Sequence, residues 1–168
     1  MNCSHQPSSE HKSRRWRHGD FPIMKSLLGF FLALMLLPGP ALATPGEVAV
    51  GGVLHEARLN GLTVPAIQLS SLRGKPLIIN VWASWCGPCR AEMASLDNLS
   101  KRNKGKAFRV IGISTDDYPE KAYVFLERAG ISFDNYIDAR LELENMLGAN
   151  RLPLTLLIDA QGKVLAKH

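Results

Sequence analysis

The chain has 168 residues, of which 46% are hydrophobic and 21% charged, a balance that suits one folded domain plus a leader and argues against a disordered chain. The net charge of +5 resides largely in the first 43 residues: residues 44–168 carry 15 basic and 13 acidic side chains, with no basic stripe for nucleic acid. There are three cysteines, and Cys3 falls in the leader, which leaves too few for a disulfide-stapled secreted fold.

From Met1 to Asp20 the sequence is polar and basic with no apolar period. Lys25 then precedes an apolar run from Leu27 to Leu37, Pro38 and Gly39 break it, and Ala41-Leu42-Ala43 offers small residues for cleavage. That order is the order of a secretory signal peptide, with Met24 as its expected true start. The run has 11 residues, whereas about 20 are needed to cross a bilayer. An uncleaved inner-membrane anchor over 27–37 is therefore the alternative, and a soluble periplasmic domain over 44–168 is the expectation. The twin arginine in "SRRWR" (13–17) lacks the apolar pair of a dedicated export signal and is read as chance.

Residues 44–61 read as a glycine-rich arm with one or two short strands, and Ser70–Leu72 as a short helical turn. "LIINVWA" (77–83) is a β-branched apolar run, as in a strand buried on both faces. A helix is predicted from Pro88 to about Lys104, with Cys89, Met93, Leu96 and Ser100 on its inner face and Asp97 pointing elsewhere. "FRVIGIS" (108–114) is a second buried strand. Acidic residues, Pro119 and Gly130 bracket a second helix whose inner face is Ala122, Phe125, Leu126 and Ala129. "FDNYID" is a short extended piece, and Ala139–Leu147 a third helix stopped by Gly148. Two final strands, 153–159 and 163–168, form a hairpin. The sum is an α/β sheet, parallel at its centre and antiparallel at its edge.

"WASWCGPCRAEM" (82–93) carries the chemistry. A zinc site needs about four ligands, and beyond Cys86 and Cys89 the domain offers His55 and His168 at no motif spacing. A covalent haem anchor needs histidine after the second cysteine, where Arg90 stands. An iron–sulfur cluster fails on ligand count. A purely structural disulfide over so short a loop would stabilise little. A Cu(I) site suits thiolates, but no histidine or methionine is spaced to complete it. The redox reading accounts for the detail. Cys86 at a helix start faces free N–H groups that favour a thiolate nucleophile, and Cys89, one turn in on the apolar face, is the shielded resolving thiol. Gly87-Pro88 lies between them, and Pro88 removes an N–H that has no partner at a helix start. Trp85 is read as shaping the surface beside Cys86, or as packing, and Trp82 as core. Pro153 stands before a strand, and on sequence alone a trans bond is favoured.

"NVWASWCGPCRAEM", "LSSLRGKPLIIN", "VIGISTDD" and "LPLTLLIDAQGKVLAKH" together resemble the TlpA/ResA/CcmG-like branch of the thioredoxin superfamily over roughly residues 47–168. The resemblance implies a thioredoxin fold and an exported thiol–disulfide oxidoreductase, with Cys86 and Cys89 as the catalytic pair, a cis Pro153, and the backbone of Leu152 presented to a client. No cofactor is implied beyond the redox-active disulfide. The implied clients are apocytochromes c or copper-delivery proteins; the leading reading is a periplasmic dithiol reductant, which in an oxidising compartment needs a membrane electron supplier. A general disulfide oxidant or isomerase and a copper-holding module are the alternatives. Three features depart from the pattern. Asn80 replaces a buried aspartate that would manage the Cys89 proton, leaving Glu92 as a candidate by proximity alone. Ala94 replaces a helix-kinking proline, and Leu152 and Leu154 flank Pro153 with larger apolar groups than usual. Related chains also continue with a glycine and a C-terminal helix, missing after His168, so either the natural chain is longer, which is the expectation, or a partner covers the open face of the sheet.

Overall fold

The computed structural model describes residues 46–168; the expected leader and membrane anchor lie outside the described residues. Seven strands form one mixed sheet in the order β2-β1-β5-β4-β3-β6-β7. β1 is Arg58–Gly61, β2 Ile67–Gln68, β3 Leu77–Trp82, β4 Arg109–Ser114, β5 Asp134–Ile137, β6 Leu154–Ile158 and β7 Val164–Lys167. β3 runs parallel to β4 and β4 to β5, while β6 and β7 on one side and β1 and β2 on the other are antiparallel. The helices are α1 (Gly87–Asn103), α2 (Pro119–Ala129) and α3 (Glu142–Leu147), and a 3-10 turn covers Leu69–Leu72. Among the described residues no helix is long and apolar enough to cross a membrane.

Strand alternation assigns each side chain to one of two cores. Leu77, Ile79 and Val81 of β3 pack with Leu156, Ile158, Leu143 and Leu147. Ile78 and Trp82, on the other face, join Cys89, Met93 and Leu96 of α1 and Ala122 and Leu126 of α2. The continuous apolar runs follow from this: a central strand covered on both faces has no position for an exposed polar residue. α1 continues unbroken through Ala94, as a helix without a kinking proline should.

Three local expectations are corrected. Asp97 turns inward and is buried; it accepts from the N–H and hydroxyl of Ser132 and pairs with Lys101, which ties α1 to the loop before β5. Ala129 is exposed, as the last residue of α2 before Gly130 closes the helix. α3 begins at Glu142 and not at Ala139: Leu141 takes a left-handed conformation (φ 58°), and Asp138 accepts from the N–H groups of Glu142 and Glu144. Asp138 is a side-chain acceptor for orphan helix-end donors, reached across a turn that periodicity does not reveal.

Candidate active site

β3 delivers the chain to the site. Trp82 ends the strand fully buried, its Nε1 donating to Asn135 Oδ1 (3.0 Å) and its ring 5.3 Å from that of Phe125. The loop 83–86 then turns into α1, with Cys86 N–H donating to Ala83 O (3.1 Å). Cys86 is the N-cap, in extended conformation, with Pro88 in the first turn where no N–H is needed. The N–H of Cys89 donates to Cys86 Sγ (3.2 Å), so the sulfur occupies the place a serine or aspartate oxygen takes at other helix starts. Cys86 and Cys89 are joined as a disulfide, their Cα atoms 5.3 Å apart. Cys86 retains 6% exposure and Cys89 none, whereas Trp85 beside them is 73% exposed.

The loop is held from below by Asp116. This buried carboxylate accepts from Ser84 N–H (2.8 Å), Ser84 Oγ (2.6 Å) and Ser114 Oγ (2.8 Å). Sequence reasoning treats the "DD" at 116–117 only as acidic residues preceding a helix. The missed signal is the pair of hydroxyls, Ser84 and Ser114, at the C-terminal ends of two neighbouring parallel strands, where one carboxylate can reach both.

The Leu152–Pro153 peptide bond is cis. Leu152 is half-buried and packs against both cores, including the one that contains Cys86, and Leu154 packs against the other. A cleft of about 310 Å³ opens beside the site, lined by Trp85, Arg151, Leu152, Asp117 and Glu144 among others. Burial pushes the Glu144 carboxyl above its ordinary range, and the nearby charge of Asp138 adds to this. Asp138 is itself pushed up by burial, against the lowering effect of the N–H donors of α3.

Asn80 and Glu92 are brought together by a residue the sequence reading misses. Asn80, on β3, is fully buried and its Nδ2 donates to Thr155 Oγ1 (3.0 Å); the Thr155 hydroxyl donates to Glu92 Oε1 (2.6 Å). Thr155 pairs with Asn80 in the β6–β3 register, so both face α1. Glu92 is half-buried and hydrogen-bonded, more than the free surface charge that proximity alone allows. The available signal was the polar residue at the second position of β6, inside an apolar strand. Among the described residues no group of three or more His, Cys, Asp or Glu is placed to hold a metal.

A cysteine pair bridged at the N-terminus of a helix, a cis-proline loop beside it and a mixed sheet beneath define a thiol–disulfide oxidoreductase of thioredoxin fold. The chain belongs to the Redoxin family, whose profile matches residues 53–168. It is 28% identical to the thiol-disulfide oxidoreductase ResA of Halalkalibacterium halodurans, over 94% of this chain and 87% of that protein. It is 34% identical to the thiol:disulfide interchange protein DsbE of Tatumella citrea, over 86% and 85% of the two chains. Among solved structures, one from Chlorobium tepidum assigned as DsbE superposes with a TM-score of 0.68 at 29% identity, over 73% of this chain and 86% of that one. The chain is thus a thiol–disulfide oxidoreductase of the ResA/DsbE type.

Proposed function

We propose that the chain is a dithiol reductant of particular periplasmic proteins, acting on the disulfides of apocytochromes c or of copper-delivery proteins. The observation that carries this reading is the position of Cys86: it caps α1, with the N–H of Cys89 aimed at its sulfur and Cys89 buried behind it. In the reduced protein that N–H supports a thiolate on Cys86. The thiolate attacks one sulfur of the client disulfide, and the other client sulfur leaves as a thiolate and takes a proton. Cys89 then gives its proton to a base and attacks Cys86 Sγ. The protein disulfide forms, the mixed disulfide breaks, and the client leaves with both sulfurs reduced. The electron pair travels on the two sulfurs, with no bound cofactor. A membrane dithiol supplier restores Cys86 and Cys89.

The cleft between Trp85 and Leu152 is the place for the client segment around its cysteine, with the backbone of Leu152 as its partner. The Gly87-Pro88 dipeptide supports the reducing direction. A redox titration tests it: the expected potential lies near thioredoxin's, about −270 mV, and a value near about −120 mV marks an oxidant instead. Cys89→Ser in periplasmic extract should hold a client on Cys86 for mass spectrometry. An empty trap would sink the exchange mechanism, and copper bound by wild type but not by Cys86→Ser would favour a copper-holding module.

A further inference from the structure

We infer that Thr155, oriented by Asn80, is a positioning residue that holds the Glu92 carboxylate beside Cys89 to receive the Cys89 proton. The inference rests on the exchange reading above and names how its second half is assisted. The Thr155 hydroxyl donates its single hydrogen to Glu92 Oε1, at 2.6 Å. A Thr155 lone pair then accepts from Asn80 Nδ2, at 3.0 Å. The chain Asn80 to Thr155 to Glu92 therefore has one direction. Its end, Asn80 Oδ1, is buried without a hydrogen-bond partner among the described residues. An orphaned buried acceptor is unfavourable, so the amide holds an orientation that favours Thr155 at its own expense.

The same logic explains why asparagine suits this position. An aspartate at 80 would compete with Glu92 for the one Thr155 hydrogen, and Glu92 would lose its donor. Glu92 follows Cys89 by three residues on α1, so the two side chains are neighbours across one turn. Thr155 follows the cis-proline Pro153 by two residues, at the second position of β6. The strand that begins directly after the cis-proline thus also carries the residue that fixes the proton acceptor. In the step itself, the Cys89 S–H proton moves to Glu92, the Cys89 thiolate bonds to Cys86 Sγ, and the departing sulfur carries off the electron pair of the broken bond.

The test is a single-turnover reaction of the reduced protein with an aromatic disulfide such as Ellman's reagent. Attack by Cys86 releases one coloured thiolate in a second-order phase; attack by Cys89 releases the other in a first-order phase. Losing one charge-assisted hydrogen bond of about 1.5 kcal/mol predicts that Thr155→Val slows the first-order phase about 10-fold. The second-order phase should stay within about twofold and Thr155→Ser should restore the rate, since the hydroxyl is the only group that matters. In a Glu92→Gln background, adding Thr155→Val should slow the reaction no further. Thr155→Ala repeats the test should the valine variant misfold. An unchanged first-order phase in Thr155→Val, or an additive effect with Glu92→Gln, overturns the positioning role. A fast Glu92→Gln overturns Glu92 as acceptor, and a wild type with no first-order phase overturns the exchange reading itself.

Discussion

Gly112 is the position where a single methyl group should do most damage for its size. It lies on β4 between Asn80 of β3 and Asn135 of β5. A Cβ built there falls far inside van der Waals contact of Asn135 Oδ1 and 2.9 Å from Trp82 Nε1, so it lands on the hydrogen bond that seats Trp82. Asn135 cannot retreat easily, because its Nδ2 donates to Phe133 O (2.8 Å) and both residues are buried. Breaking the pair strands a buried donor and acceptor, at about 1–3 kcal/mol, and overpacking adds about 1–3 kcal/mol. Gly112→Ala should therefore lose about 3–5 kcal/mol in urea unfolding followed by tryptophan fluorescence, and Gly112→Ala/Asn135→Gly should recover about half by removing the clashing amide. A loss below about 1 kcal/mol would refute the reasoning, since neither penalty could then be present.

Other substitutions probe charge. Burial opposes ionisation of Asp97, but the hydrogen bonds from Lys101 and Ser132 outweigh it and hold the carboxyl below its ordinary value of 3.8. Its stabilising contribution is thus present above that value and lost as pH falls through the lowered one, so Asp97→Asn should flatten the acid limb of a stability–pH curve; an unchanged limb would contradict this. Glu144 has the opposite sign. Raised above 4.5, its ionisation weakens the fold as pH rises, so Glu144→Gln should raise the urea midpoint at neutral pH and leave it unmoved in acid. The Lys167–Glu47 pair, 2.6 Å long and mostly buried, ties the arm before β1 to β7. Lys167→Met should cost about 1–2 kcal/mol by calorimetry, more than an exposed pair, and little of it should vanish in salt.

The strands and the cysteine pair were legible because each rests on one strong local signal. Unbroken β-branched runs mark strands covered on both faces, and Cys86, Gly87, Pro88 and Cys89 state a helix start and its chemistry in four residues. What escaped is the set of residues whose role depends on partners far along the chain. Asp97 looks like a solvated charge until Ser132 meets it, 35 residues on. Thr155 looks like one more β-former until register sets it beside Asn80, 75 residues earlier, and Glu92 above them both. Asp138 replaces a turn of helix with a cap because Leu141 takes the left-handed conformation, which leucine seldom does. Polar residues inside apolar strands, and carboxylates near paired serines, are the positions where pattern reading should look for such partners.

The 6% exposure of Cys86 beside the open indole of Trp85 has a kinetic meaning. In the proposed role, a reductant in an oxidising compartment is thermodynamically out of place, and it lasts only while its exchange with the surroundings is slow. Thiol–disulfide exchange requires attack in line with the sulfur–sulfur bond, and a sulfur so nearly enclosed leaves few such lines open to a freely diffusing thiol or oxidant. A client docked as proposed, against Trp85, spends its collisions already aligned. The site thus behaves as an insulated contact: current flows where a fitted plug is seated, and leakage to the bathing medium is held down by geometry.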